Sequence, residues 1–305
     1  MATAPDPWRG LESFSVPPHF QVPARGFEIV KRRPLDDPQA PELDYLVPID
    51  GPWVWKEPPK TLCRAFASLD CREPAALLAF ANEHGWLGLL NRVEGEPGAL
   101  LAGILNRIEG EPGAPTKVIL GESLQDWHAH IRDVGAALHL IDALHKRSPL
   151  GRWISWHTKR PEARVCLKMT FDAGGEHRRI VDWIGQQEVE RHHVKTAKDA
   201  VEYLVRRWVF QGLDGHMANM LLKGRKPFER GVRAMNLLGA LWDQVADFAE
   251  GDQVHRRCTA CGKWLLIQPG GGGRSDQVFC GSGCRSRAFR ARHKRASKRS
   301  SKGGK

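Results

Sequence analysis

Acidic residues are almost missing from the last fifty positions of this 305-residue chain. Residues 256–305 hold fourteen Lys or Arg and one acid, Asp276, and residues 285–305 hold ten Lys or Arg and none. The rest of the chain keeps 32 of the 46 bases and 34 of the 35 acids, a net −2 against an overall +11. The chain is therefore a near-neutral body with a strongly basic end. A charge run standing alone reads as a solvated terminus, but this one adjoins a cysteine cluster, which favours an interaction role.

Other absences narrow the field. No apolar run approaches the ~20 residues that cross a bilayer, and Met1 to Gly10 lacks the basic-then-apolar pattern of an export signal. A cytoplasmic protein without a membrane partner is expected. None of the thirteen His is followed by Glu in a His-x-Glu pattern, which disfavours a zinc deaminase. The glycine run Gly270 to Gly273 is not followed by Gly-Lys-Ser/Thr, so it reads as a flexible loop rather than a phosphate loop. No Ser/His/Asp set has interpretable spacing, and Asp172, Glu176 and Asp182 read as surface carboxylates. His128 and His130 are 200° apart on a helix, so they and the pair His192-His193 read as solvated. A non-enzymatic protein is expected.

The apolar fraction of 41% and eleven Trp support a folded body. Its pattern is α+β and mainly helical. Residues 1–25 are Pro-rich and read as irregular. Short β-type runs follow at Phe27 to Val30 and Leu43 to Ile49. Helical spacing then appears around Leu62 to Leu69 and, after Pro74, from Leu77 to about Gly85. The segment Leu90 to Ala99 recurs as Leu105 to Ala114, with a period of fifteen residues. Two copies are too few for a solenoid, and a duplication within a surface loop is the reading. Ser123 to His145 has a capping Ser and an apolar stripe of Trp127, Ile131, Val134, Leu138, Ile141 and Leu144. Strand-like runs at 153–156, 165–169 and 180–184 precede two more helices, Ala197 to Gln211 and Asn236 to Phe248. The organisation read from this pattern is an irregular segment at 1–25, a mixed body at 26–250, a cysteine module at 256–296 and a disordered basic tail at 297–305. Gly251 to Arg257 reads as a linker.

Seven cysteines divide into two groups. Cys63, Cys71 and Cys166 lie in apolar stretches and read as buried thiols. Cys258, Cys261, Cys280 and Cys284 follow a C-x2-C-x18-C-x3-C spacing. Two thiolate pairs offer four soft ligands in a tetrahedron, the donor set of structural Zn2+. His255 or His293 in place of one sulfur, and an iron–sulfur cluster, are the lesser alternatives. Gly262 relieves the backbone past the first knuckle. Trp264 to Gln268 reads as a strand, and Val278-Phe279 as a second strand leading into Cys280. Cys284 falls near the start of a helix that runs to about Ser297. Trp264, Leu266, Phe279 and Phe289 are the expected small core.

On that helix Ala288, Phe289 and Arg292 share one side, and Arg287, Arg290, Lys294 and Lys298 the opposite side. Arg285, Arg287, Arg290, Arg292, Lys294, Arg295 and Lys298 are the candidate nucleic-acid contacts. Arg287 and Arg290 are the candidates for base edges, because the Arg fork matches guanine.

The stretch from Arg257-Cys-Thr-Ala-Cys-Gly-Lys-Trp264 to Cys280-Gly-Ser-Gly-Cys284-Arg-Ser-Arg287 resembles the CGNR-type zinc finger of bacterial regulators. The family's Cys-Gly-Asn-Arg ending is Cys284-Arg285-Ser286-Arg287 here, and only Arg287 matches the motif's arginine. The resemblance implies zinc ligation by the four cysteines. It also implies a mainly helical ABATE-like domain ahead of the finger, and DNA binding in transcription control. A zinc-stabilised adaptor for a protein partner is the alternative from another class, and RNA binding a third.

Overall fold

The computed structural model describes residues 20–34, 39–49, 52–56, 58–89, 91–94, 118–173, 175–214, 216–222, 229–234, 236–251, 254–267 and 277–300. It is an α+β fold with seven α-helices and five small antiparallel sheets among these residues.

The organising element is α3, Leu124–His145. The Ser123 hydroxyl caps it, accepting from the Gln125 N–H at 3.1 Å. The expected stripe faces inward: Trp127, Ile131, Val134, Leu138 and Ile141 are all buried, and Leu144 packs at the edge of the same core. Three other helices close around it, α1 (Leu62–Ala67), α5 (Ala197–Leu213) and α6 (Leu237–Ala249). The helix α2, Pro74–His84, adds Leu77, Phe80 and Ala81 to the core.

A three-stranded sheet of β7 (Ile154–Trp156), β8 (Val165–Ala173) and β9 (Glu176–Ile184) packs on the same helix. Along β8 burial alternates, with Val165, Leu167, Met169, Phe171 and Ala173 inward, the period-two pattern of a half-buried strand. Gly135 of α3 lets the two elements meet, because a Cβ there would stand 2.9 Å from that of Ala173. A second sheet has the order β2-β3-β6-β5, from Phe27–Arg32, Leu43–Pro48, Val118–Ser123 and Asn91–Glu94.

Several expectations change. Phe20–Pro23, within the segment read as irregular, is a strand, β1, paired with β4, Trp53–Lys56. Residues 91–94, the head of the first repeat copy, form β5 rather than loop, because they complete the sheet edge beside β6. The rest of the repeat, 95–117, lies outside the described residues, as do the glycines 270–273. A hairpin of β10 (Met217–Leu222) and β11 (Glu229–Ala234) was not legible in the pattern. The remaining helix of the body is α4, Gln186–Arg191.

Glu122, at the end of β6, holds these parts together. It is completely buried and accepts four hydrogen bonds, from the N–H groups of Leu87, Gly88 and Leu89 and from Trp127 Nε1. Burial pushes its carboxyl up, and the four donors oppose that shift. The side chain thereby fixes the segment after α2 against the first turn of α3. Each buried donor left unpaired costs about 1–3 kcal/mol. Glu122→Ala is therefore expected to lower unfolding free energy by about 3 kcal/mol or more in urea titration.

Candidate metal centre

The C-terminal module is built on a hairpin. Strand β12, Val254–Arg257, pairs antiparallel with β13, Trp264–Ile267, and the first cysteine knuckle forms the turn between them. The Cys258 N–H donates to the Lys263 carbonyl at 2.8 Å, and the Gly262 N–H to the Cys258 carbonyl at 2.9 Å. Gly262 has φ +73°, the left-handed conformation that a residue without Cβ adopts at no steric cost. Residues 254–257 are thus a strand of the module rather than a linker. Val278-Phe279 is not the second strand. Its role is a clamp, in which the Val278 carbonyl accepts from the Thr259 N–H at 3.0 Å and holds the second cysteine pair beside the first.

The core residues also shift by one position. Leu265 and Ile267 are buried, while Trp264, Leu266 and Phe279 are half-buried, because pairing with β12 sets the strand parity. Phe289 is 57% exposed rather than inward.

Helix α7, Ser282–Ser300, starts two residues before Cys284. All four cysteines come together, with their sulfurs within 4.8 Å of one another. The Sγ atoms of Cys261 and Cys280 are 3.6 Å apart, and those of Cys280 and Cys284 are 3.3 Å apart. Sulfurs bound tetrahedrally at about 2.3 Å from one ion stand about 3.8 Å apart. The cluster is already near that size. Cys258 is buried, Cys284 half-buried, and Cys261 and Cys280 exposed.

The electrostatics fit a cation. The neighbouring sulfurs of Cys284, Cys261 and Cys258 push the Cys280 thiol up to about 12. At Cys258 burial acts upward, but N–H groups of Cys280, Ala260 and Cys261 prevail and hold the thiol at about 6. The Cys280 N–H lies 3.4 Å from the Cys258 sulfur. Four thiolates at these distances would repel one another, and a metal cation held among them would offset that repulsion. Among the described residues this is the one group of His, Cys, Asp and Glu arranged to hold a metal ion. The alternative ligands His255 and His293 have side chains outside the described set.

A contact absent from the sequence reading joins the module to the body. Arg64 of α1 is buried and makes a bidentate ion pair with Asp142 of α3, at 2.9 and 2.6 Å. Its guanidinium lies 4.3 Å from the Phe248 ring centroid and 5.3 Å from that of Trp264. Arg257 stacks on the same Trp264 at 4.7 Å and donates to the Ser68 hydroxyl at 3.2 Å. The only sequence signal was an arginine inside the apolar stretch Leu62 to Phe66.

The basic helix is described in part. Arg285, Arg287 and Arg290 are exposed, and Ala288 is half-buried. Arg292, Lys294, Arg295 and Lys298 lie on α7 with side chains outside the described residues.

The carboxylates Asp172, Glu176 and Asp182 do not converge. Asp172 pairs with His177, Glu176 with Arg178, and Asp182 with Arg207. His128 and His130 are half-buried rather than solvated, because the helix carrying them is packed on several sides. Burial lowers both from the ordinary histidine range. No described helix is long and apolar enough to cross a membrane. No protein-family model matches the chain, and no curated protein or solved structure is significantly similar to it.

Two outcomes are expected. In the metal-free folded chain the C-terminal thiols react with a disulfide reagent. One equivalent of a thiophilic divalent metal suppresses that reaction, while Cys63, which is completely buried, stays slow throughout. Arg64→Met leaves Asp142 without its partner and lowers chemical-unfolding stability by about 2–3 kcal/mol.

Proposed function

We propose that the C-terminal module binds Zn2+ through Cys258, Cys261, Cys280 and Cys284 and presents helix α7 to nucleic acid, most simply duplex DNA. The chain then acts as a non-enzymatic regulator of the kind the CGNR resemblance implies. The observation that carries this reading is the position of the sulfur cluster at the first turn of α7. A metal bound there fixes the origin and direction of a helix whose segment, 285–305, bears ten Lys or Arg and no acid. The positive end of the helix dipole faces the thiolates, which favours the charged cluster.

Zinc suits four sulfur donors in a small module, and its binding contributes folding free energy on the order of 10–16 kcal/mol in finger peptides. The apolar contribution is small, since among the described side chains Leu265 and Ile267 are the buried aliphatic residues of the hairpin. Arg287 and Arg290 lie in the narrow arc that would follow a phosphate backbone. Four neutralised phosphates would give a slope of log K on log salt of roughly −4.

Phe289, more than half exposed on the same helix, favours the second reading, a protein partner on an apolar contact.

Fluorescence anisotropy of the zinc-loaded full chain with duplex DNA, across a salt series, is expected to show binding. Arg287→Ala with Arg290→Ala should flatten the salt slope by about 2, one unit for each lost phosphate contact. Cys258→Ser should reduce bound zinc below one equivalent and weaken DNA binding. DNA binding that persists in the metal-depleted mutant would detach the helix from the metal. A protein partner whose capture depends on Phe289, with no nucleic-acid binding, would establish the adaptor reading instead.

A further inference from the structure

Strand β9 is an edge of its sheet, since the order is β7-β8-β9. The pairing decides which of its backbone groups face outward. The Lys168 N–H donates to the Trp153 carbonyl at 2.8 Å, so even positions of β8 turn toward β7 and odd ones toward β9. Leu167 lies opposite Asp182 and Met169 opposite Ile180, so the backbones of Asp182 and Ile180 are used within the sheet. Those of Arg179, Val181 and Trp183 point away from it. At Trp183 the edge is closed. Its N–H donates to Asp182 Oδ1 at 2.8 Å, and its carbonyl accepts from Arg207 at 3.0 Å. At Arg179 and Val181 no hydrogen bond takes the outward N–H and C=O among the described residues.

An open cavity of about 480 Å³ adjoins this stretch, between α3, β9, α5 and α6. All of residues 179–182 line it, although their side chains alternate between the two faces of the sheet. The cavity therefore runs along the strand's edge. Ile180, Trp208 and Trp242 give it apolar walls on the inner face. Trp242 is buried and pressed against Gly212, where a Cβ would stand 2.2 Å from the ring. Trp208 is held by its indole N–H, which donates to Asp182 at 2.6 Å.

The outer face of the same edge is cationic. Arg179 stands opposite Thr170, and Lys168 stands opposite Val181. Both cations are exposed, and neither has an ion pair among the described residues. An added strand thus meets main-chain partners at Arg179 and Val181, an apolar cavity beside Ile180 and positive charge beside Arg179. A second copy of β9 fits less well. Two-fold pairing about Ile180 sets Arg179 across from Val181 and leaves its charge unanswered. Pairing about Arg179 opposes like charges, and pairing about Val181 meets Trp183, whose edge groups are already taken.

We propose that the β9 edge at Arg179 and Val181 takes up an extended peptide segment of a partner protein, added antiparallel as a fourth strand. Its residue opposite Ile180 places an aromatic or large aliphatic side chain in the cavity. Its next residue, opposite Arg179, is acidic, and the one before, opposite Val181, is apolar. In the direction of the partner chain the pattern is Val-Phe-Glu. The inference concerns the body and stands apart from the nucleic-acid reading of α7.

The test is fluorescence anisotropy of a labelled, end-blocked Thr-Val-Phe-Glu-Thr peptide titrated with the full chain. Replacing the peptide's Phe by Ala should weaken binding about tenfold or more, through the lost apolar burial. N-methylation of its Glu removes an N–H directed at β9 and should also cost about tenfold. N-methylation of its Phe, whose N–H points away, should cost much less. Arg179→Glu should weaken the peptide about fivefold and favour the analogue with Lys in place of Glu. Because Arg179 makes no ion pair among the described residues, that variant should keep the wild-type thermal midpoint. Four results would each overturn the proposal. They are no peptide binding at millimolar concentration, equal effects of the two N-methylations, indifference to the Phe replacement, and unchanged preference in Arg179→Glu. Dimerisation of the chain in sedimentation, lost in Val181→Pro, would assign the edge to a second copy and overturn it as well.

Discussion

One buried guanidinium connects the helical body of this protein to its cysteine hairpin. Arg64 leaves α1, pairs with Asp142 on α3, and lies over the rings of Phe248 on α6 and Trp264 in the cysteine hairpin. A charge removed from water is tolerated only when its donors and its flat faces are both satisfied. Here the carboxylate takes the in-plane N–H groups and the aromatic rings lie over the guanidinium, where cation–π attraction acts. Because the four groups come from four elements, their relative placement is constrained by a single side chain. Arg257 repeats the device from the hairpin side, stacking on Trp264 and reaching Ser68. The cysteine module is therefore seated on the helical body rather than strung from it.

The seat gives the module an orientation, and the sulfur cluster gives it a shape. Hydrogen bonds at the knuckle and the clamp between Thr259 and Val278 bring two distant cysteine pairs within reach of one ion. The helix that begins there is mostly exposed over its described side chains, 282–291, and its sequence carries much of the chain's excess positive charge. Within the body, Glu122 does for the backbone what Arg64 does for the side chains. It collects three amides and an indole N–H that would otherwise be buried unpaired. Both are polar groups at the core, and both join segments far apart in sequence.

Much was legible in the chain itself, where the signal was local. The C-x2-C-x18-C-x3-C spacing named the cysteines that gather, and Gly262 marked the knuckle. Ser123 and the Trp127 to Ile141 stripe located α3, since helix periodicity and capping are written in consecutive residues. The charge asymmetry of the last fifty residues is a property of composition and needs no fold to be seen.

Pairing and packing were decided only by the tertiary structure, because they join residues with no shared local pattern. The partner of Trp264–Ile267 is Val254–Arg257 rather than Val278-Phe279, and that choice moved the buried positions to Leu265 and Ile267. Strand parity is set by the partner strand, which spacing alone does not reveal. Phe20–Pro23 and Asn91–Glu94 became strands because open edges lay beside them. Arg64 and Glu122 took their buried positions, and His128 and His130 their half-buried ones, from surroundings supplied by distant segments. The sequence by itself determined which residues could ligate a metal and where the charge would lie. The fold decided which groups are desolvated, paired or left exposed, because burial and pairing depend on segments far away in the chain.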